Sequence, residues 1–224
     1  MEMKGFTSPS SCNALMAAIV ALLVLMSSNM MKNCSATTTT TTTKSSKTNF
    51  IQSCCASTRY PNLCYSSLSP YASSVGTNRT KLAIVALKVS LSATRNTSAL
   101  VTKISQRHDL MSNETANIKD CVDEVRDAID QLEQSLKEMN YLGGSDFDFN
   151  KNSIQTWVSA ALTDDQTCLD GLDGLNGKVE KKIRKSVTNA SRLTSNALAI
   201  INSLTSNSSS NKNKNAMSKG TVTP

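Results

Sequence analysis

The sequence predicts an all-α protein: an antiparallel up-down-up-down four-helix bundle with an N-terminal helical hairpin extension and two disulfides. Three observations carry this. Aromatic residues make up only 4% of the chain, with 8 Gly and 4 Pro, whereas sandwiches and barrels draw on aromatic and β-branched runs with frequent turns. Apolar residues instead recur every three or four positions along four stretches, the period of one helix face. Cysteines spread behind a secretory leader read as a disulfide framework.

The leader comes first. Lys4 gives a positive start, and Ala14 to Met26 is an uncharged apolar run. It is shorter than the roughly 20 residues a membrane span needs, and it fits the apolar region of a signal peptide over residues 1–36, with Cys34-Ser35-Ala36 as the cleavage site. An uncleaved signal anchor is the competing reading. Cleavage leaves no stable membrane span and a secreted, extracellular product. Residues 37–48 form a Thr-rich polar linker, and residues 207–224 a Ser/Asn/Lys tail. Neither can bury a core, so both are expected to be disordered around a domain over 49–206.

Within that domain, Phe50, Ile51, Leu63, Leu68 and Tyr71 mark two short helices, and Pro61 and Pro70 interrupt them. A first long helix is expected from about Thr80 to Ile104. A second starts near Asn117, carries Ile118, Val122, Val125, Ile129, Leu132 and Leu136 on one face, and stops at Gly143-Gly144. Ser145 to Asn150 reads as a loop. A third helix spans about Lys151 to Gly171, and a fourth runs from about Val179 to Leu204. Amphipathic helices of this length with short links pack as an up-down bundle.

Five cysteines remain after cleavage: Cys54, Cys55, Cys64, Cys121 and Cys168. Pro61 turns the chain between Cys55 and Cys64 and brings them within bridging reach. Cys121 lies early in the second long helix and Cys168 late in the third. Antiparallel neighbours place those ends together, so the two can bridge. An odd thiol is left over. A zinc site is disfavoured, because the domain has one His, His108, and no paired CxxC knuckles.

No catalytic constellation, metal site or cofactor site is expected. His108, between Arg107 and Asp109, reads as a solvated loop residue. Asp120, Asp123, Glu124, Asp127 and Asp130 read as a solvated acidic face, since the EF-hand ligand pattern is absent. Residues 109–140 hold nine acidic and three basic residues, and residues 176–192 hold six basic and one acidic. If those helices are neighbours, the charges pair internally; if they are not, the acidic face is open to a partner. The formal net charge of +7 comes without the aromatic-interleaved basic patch of a nucleic-acid binder. Outside the cell it predicts electrostatic retention by acidic polysaccharide. Asn78, Asn96, Asn113, Asn189 and Asn207 each head an N-glycosylation triplet.

The run from Phe50 to Cys64, including Cys54-Cys55, Arg59-Tyr60-Pro61 and Leu63-Cys64, resembles the N-terminal hairpin of the plant invertase and pectin methylesterase inhibitor family. Lys119-Asp120-Cys121-Val122-Asp123-Glu124, Trp157-Val158-Ser159-Ala160-Ala161-Leu162-Thr163 and Thr167-Cys168-Leu169-Asp170 resemble its bundle. The resemblance covers about residues 49–206. It implies bridges Cys55–Cys64 and Cys121–Cys168, a free thiol at Cys54, and no enzymatic activity. It further implies an inhibitor that covers the pectin-binding cleft of pectin methylesterase one-to-one in the apoplast. Acid invertase is the alternative target, and a non-inhibitory wall protein the second alternative. The Pro-Lys-Phe tripeptide of invertase inhibitors is missing. Thr167 and Asp170 match partner-contacting positions of the family, with Thr163, Asp164 and Asp165 as further candidates.

Overall fold

The computed structural model describes residues 38–205 except 174 and 176. The expected signal peptide and C-terminal tail lie outside the described residues. The chain divides into two compact units, Met1–Thr43 and Lys44–Pro224. Of the first unit, the described residues include only the opening turns of one helix; the second unit holds the bundle.

That helix, α1 (Thr38–Cys55), corrects the expectation of a disordered linker over 37–48. Its C-terminal turns bury Ile51, Cys54 and Cys55. Beyond a formed turn each added residue gains a backbone hydrogen bond without a second nucleation cost. The chain then turns into α2 (Pro61–Leu68), which opens on Pro61, where a missing N–H is harmless. A 3-10 turn (Ser69–Tyr71) and α3 (Ala72–Val75) follow. Gly76 ends α3 at φ +62°, a left-handed conformation glycine adopts freely.

Four long helices build the bundle. In α4 (Arg79–Ser105), the N-cap Asn78 accepts a hydrogen bond from the Lys81 N–H at 2.9 Å. Helix α5 (Ser112–Glu138) begins earlier than the apolar period indicates, because the Glu114 carboxylate accepts from the Met111 N–H at 3.1 Å. Helix α6 (Phe147–Gly171) also starts early, inside the stretch read as a loop. There Phe147 and Asn150 are buried, and Asn150 Nδ2 donates to the Tyr141 carbonyl at 2.6 Å, fixing the corner. Gly177, at φ +129°, leads into α7 (Lys178–Asn202).

Each long helix packs on its neighbour in sequence, and α7 closes on α4, so α5 and α7 face each other across a diagonal. The helices run antiparallel. Ser90 and Thr194 share a hydrogen bond at 2.5 Å, and Thr97 and Ser186 one at 2.8 Å, pairing rising numbers on α4 with falling numbers on α7.

The core is split. One apolar cluster, with Ile51, Leu68, Leu87, Leu132, Ile154 and Ile201, lies under the hairpin. The other holds Val101, Ile118, Val125, Leu172, Ile183 and Val187. On three of the four long helices buried polar residues fall between them: Thr94 and Thr97 on α4, Asp165 on α6 and Thr194 on α7. Cys55–Cys64 staples the hairpin end and Cys121–Cys168 the far end. The second bridge closes a 47-residue separation, worth about 4 kcal/mol in the chain-entropy account.

The hairpin is held to the bundle by one residue of α7. The buried Asn196 accepts from the Tyr60 N–H and donates to the Tyr60 carbonyl, both at 3.0 Å. Among the described residues no helix is long and apolar enough to cross a membrane.

Candidate functional site

The outer seam between α5 and α6 concentrates acidic groups. On α5, Asp120, Asp123, Asp127 and Asp130 are exposed and Glu124 is half-buried. Burial raises the Glu124 pKa, and the neighbouring Asp127, Asp120 and Asp123 raise it further. Facing them from α6, Asp164 is pushed up to about 6, by partial burial first and then by Glu124 and Asp127. A hydrogen bond from Gln131 opposes the shift. The remaining polar atoms of this pair, Asp164 Oδ2 and Gln131 Oε1, are buried without a hydrogen-bond partner. No salt bridge reaches Glu124, Asp127 or Asp164 among the described residues.

Asp165 must be set apart from the other partner-binding candidates. It is 1% exposed, so it cannot touch a partner, which corrects the expectation for this residue. Both its carboxylate oxygens lack a hydrogen-bond partner, and burial, reinforced by Asp164, pushes its pKa up to about 8. It is a neutral acid in acidic and neutral solution. The helix dictates this placement: Asp165 continues the buried stripe Ile154, Val158, Ala161 and Cys168 at spacings of three and four.

Thr163, Thr167 and Asp170 are exposed. The Thr163 hydroxyl donates to the Ser159 carbonyl at 3.2 Å and the Thr167 hydroxyl to the Thr163 carbonyl at 3.0 Å. Their oxygens remain able to accept from outside. Asp170 Oδ1 accepts from Gln166 Nε2 at 2.6 Å, which holds the carboxylate along the helix. The Cys121–Cys168 bridge joins α5 to α6 next to Thr167 and within one turn of Asp170.

Trp157, part of the motif that carries the family resemblance, is not among the site residues expected from the sequence. It is 41% exposed, because it falls one residue off the buried stripe. Two turns before Asp164, it shares that residue's face of α6. The surface therefore joins an aromatic anchor, hydroxyl acceptors and a carboxylate cluster on a braced pair of helices. It contains no nucleophile–base pair, and no group of residues able to hold a metal ion occurs among the described residues.

The other sequence-marked residues lie elsewhere. Cys54 is a buried free thiol. His108 is exposed in the turn after α4, beside the Arg107–Asp109 ion pair. Asn78, Asn96 and Asn189 are exposed; Asn113 lies in the first turn of α5, and Asn207 is outside the described residues. The acidic helix α5 and the basic helix α7 are diagonal, so their charges do not neutralise each other across a helix interface.

The family model for plant invertase/pectin methylesterase inhibitors matches residues 49–200. The chain belongs to this family. It is 40% identical over 158 residues to the 21 kDa protein of Daucus carota, covering 68% of this chain and 82% of that one. It is 41% identical over 157 residues to pectinesterase inhibitor 10 of Arabidopsis thaliana, a match that spans 69% of this chain and 50% of the relative. A crystal structure of a mutant form of a pectin methylesterase inhibitor from Arabidopsis superposes with a TM-score of 0.59 at 23% identity, covering 70% of this chain and 98% of that one. Family membership accounts for the helical bundle and places the chain among inhibitors, not enzymes.

Proposed function

We propose that this protein inhibits plant pectin methylesterase, binding it one-to-one through the outer α5–α6 face so that the enzyme's pectin-binding cleft is covered. The observation that carries the reading is the open acidic seam of Glu124, Asp127 and Asp164, flanked by the exposed Trp157, Thr163, Thr167 and Asp170. A partly desolvated aromatic residue beside hydrogen-bonding groups has the composition of a binding hot spot. The disulfide beside it holds the surface in shape before the partner arrives, which lowers the ordering cost on binding. Relatives named pectinesterase inhibitors favour the esterase as target, and the N-terminal leader favours the apoplast as the place of action.

The test is a titration of the oxidised protein against a plant pectin methylesterase and against an acid invertase. Stoichiometric inhibition of the esterase, weakened by Thr167→Ala and Asp170→Ala with unchanged helical circular dichroism, is the expected result. Inhibition of invertase alone would reassign the target. Inhibition of neither would point to a non-inhibitory wall protein.

A further inference from the structure

On the side of the bundle away from the acidic seam, α7 and the hairpin turn form a basic trough. A shallow cavity of about 400 Å³ is lined by Lys181, Arg184, Lys185, Thr188, Asn189 and Arg192. A second, of about 370 Å³, shares Asn189 and Arg192 and adds Arg59, Tyr60 and Asn62 among its walls. The two adjoin at Asn189 and Arg192. From Lys181 to Arg192 the trough follows the helix for about 16 Å at the α-helical rise.

Its cations are available. Arg184 is engaged by Glu180 and by Asp173 at 3.0 Å, but Lys181, Lys185, Arg192 and Arg59 make no salt bridge among the described residues. The floor is fixed: Asn196 clamps the Tyr60 backbone, and the Arg192 and Arg59 guanidiniums lie over the Tyr60 ring at 5.2 and 5.8 Å from its centre. A guanidinium stacked on a ring keeps its N–H edge free for a carboxylate.

We infer that this trough binds a chain of uronic acid residues, the carboxylate form of pectin. A row of separated cations with neutral hydrogen-bonding groups, Thr188 and Asn189, between them suits a polymer that alternates carboxylates with hydroxyls. Nucleic acid fits poorly, because both guanidiniums occupy the one ring on which a base would stack. A lipid surface fits poorly as well, because a concave trough without large exposed aliphatic residues offers nothing to insert. The choice of a uronate over other carboxylated polymers rests on the esterase reading: hydrolysis of pectin methyl esters exposes just these carboxylates. Because α7 and α5 are diagonal, the protein can hold the polymer and the enzyme on different faces. The charge retention expected from the whole sequence thus acquires a specific seat in the folded domain.

The test measures binding of the full secreted chain to oligogalacturonate by calorimetry at physiological ionic strength. It is made on a Ser191→Ala background, which removes the glycosylation triplet and keeps the Asn189 side chain in the trough. Oligogalacturonate is expected to bind, and the fully methyl-esterified oligomer is not. Lys181→Gln/Lys185→Gln/Arg192→Gln is expected to weaken binding by roughly tenfold or more, while Lys212→Gln/Lys214→Gln in the tail leaves it unchanged. Circular dichroism identifies any unfolded variant, and the single substitution Lys185→Gln, with a smaller loss, then serves in place of the triple. Equal binding of esterified and free oligomers, an undiminished trough variant, or tighter binding to DNA or anionic vesicles would overturn the inference. Esterase inhibition is read separately in the same samples. Polymer binding without inhibition removes the esterase reading alone, and inhibition without polymer binding removes this one alone.

Discussion

Asp165 offers the sharpest quantitative test of the interior. In the unfolded chain its carboxyl ionises near 3.8, and in the folded protein near 8. Between those values the folded state holds a proton that the unfolded state has released, so stability falls as pH rises from about 4 through about 8. Each unit of separation is worth about 1.4 kcal/mol, which sets the full effect at roughly 5–6 kcal/mol. Asp165→Asn keeps the shape and is neutral at every pH. Near pH 4 the two proteins should be about equally stable, because both side chains are uncharged there. Approaching pH 8 the variant should be the more stable by several kcal/mol, a difference of the order of 10 °C in melting temperature for a domain this size. Urea titrations at pH 4, 5, 6, 7 and 8 on both proteins measure the gap directly. A gap that stays constant across that range would show that Asp165 is ionised in the folded state, and the argument from burial would be refuted.

The surface and the hairpin yield further outcomes. Covering Asp164, already pushed up to about 6, desolvates it further, so esterase inhibition should strengthen as pH falls from 7 to 5. Asp164→Asn should flatten that dependence in inhibition constants measured at both ends. Trp157→Ala should weaken inhibition by about 2 kcal/mol, roughly thirtyfold, with unchanged circular dichroism. Unaltered inhibition would take Trp157 out of the interface. Asn196→Ala removes both bonds to the Tyr60 backbone and should cost about 2 kcal/mol in chemical denaturation. Cys121→Ala/Cys168→Ala removes the second bridge alone and should lower stability by about 4 kcal/mol, read from the same denaturation curves.

The bundle was legible because its cause is periodic: stripes such as Ile118, Val122, Val125, Ile129 and Leu132 can be buried only on one helix face. Helix starts were less legible, because packing and capping decide them. Phe147 draws residues read as a loop into α6, and Glu114 draws the start of α5 forward. The polar composition of 38–48 concealed that α1, whose buried residues begin at Ile51, runs through it. Thr167 and Asp170 carried a family signal, and both prove exposed. Asp165 carried a signal that pointed the other way, its place in the apolar stripe, and that signal outweighs its charge. The diagonal of α5 and α7 had no signature in one sequence, since periodicity names the buried face of a helix but not the helix it meets.

The polar layer at the waist bears on how the molecule opens. Each apolar cluster has its own disulfide, and on α4, α6 and α7 the buried polar residues Thr94, Thr97, Asp165 and Thr194 interrupt the apolar stripes between them. Cooperative units separate where apolar contact is thinnest. Amide hydrogen exchange should then resolve two breathing halves, the hairpin end and the Cys121–Cys168 end, with different opening free energies. Ionisation of Asp165 in mildly alkaline solution would loosen the boundary they share, so that the protein yields first at its middle rather than at its ends.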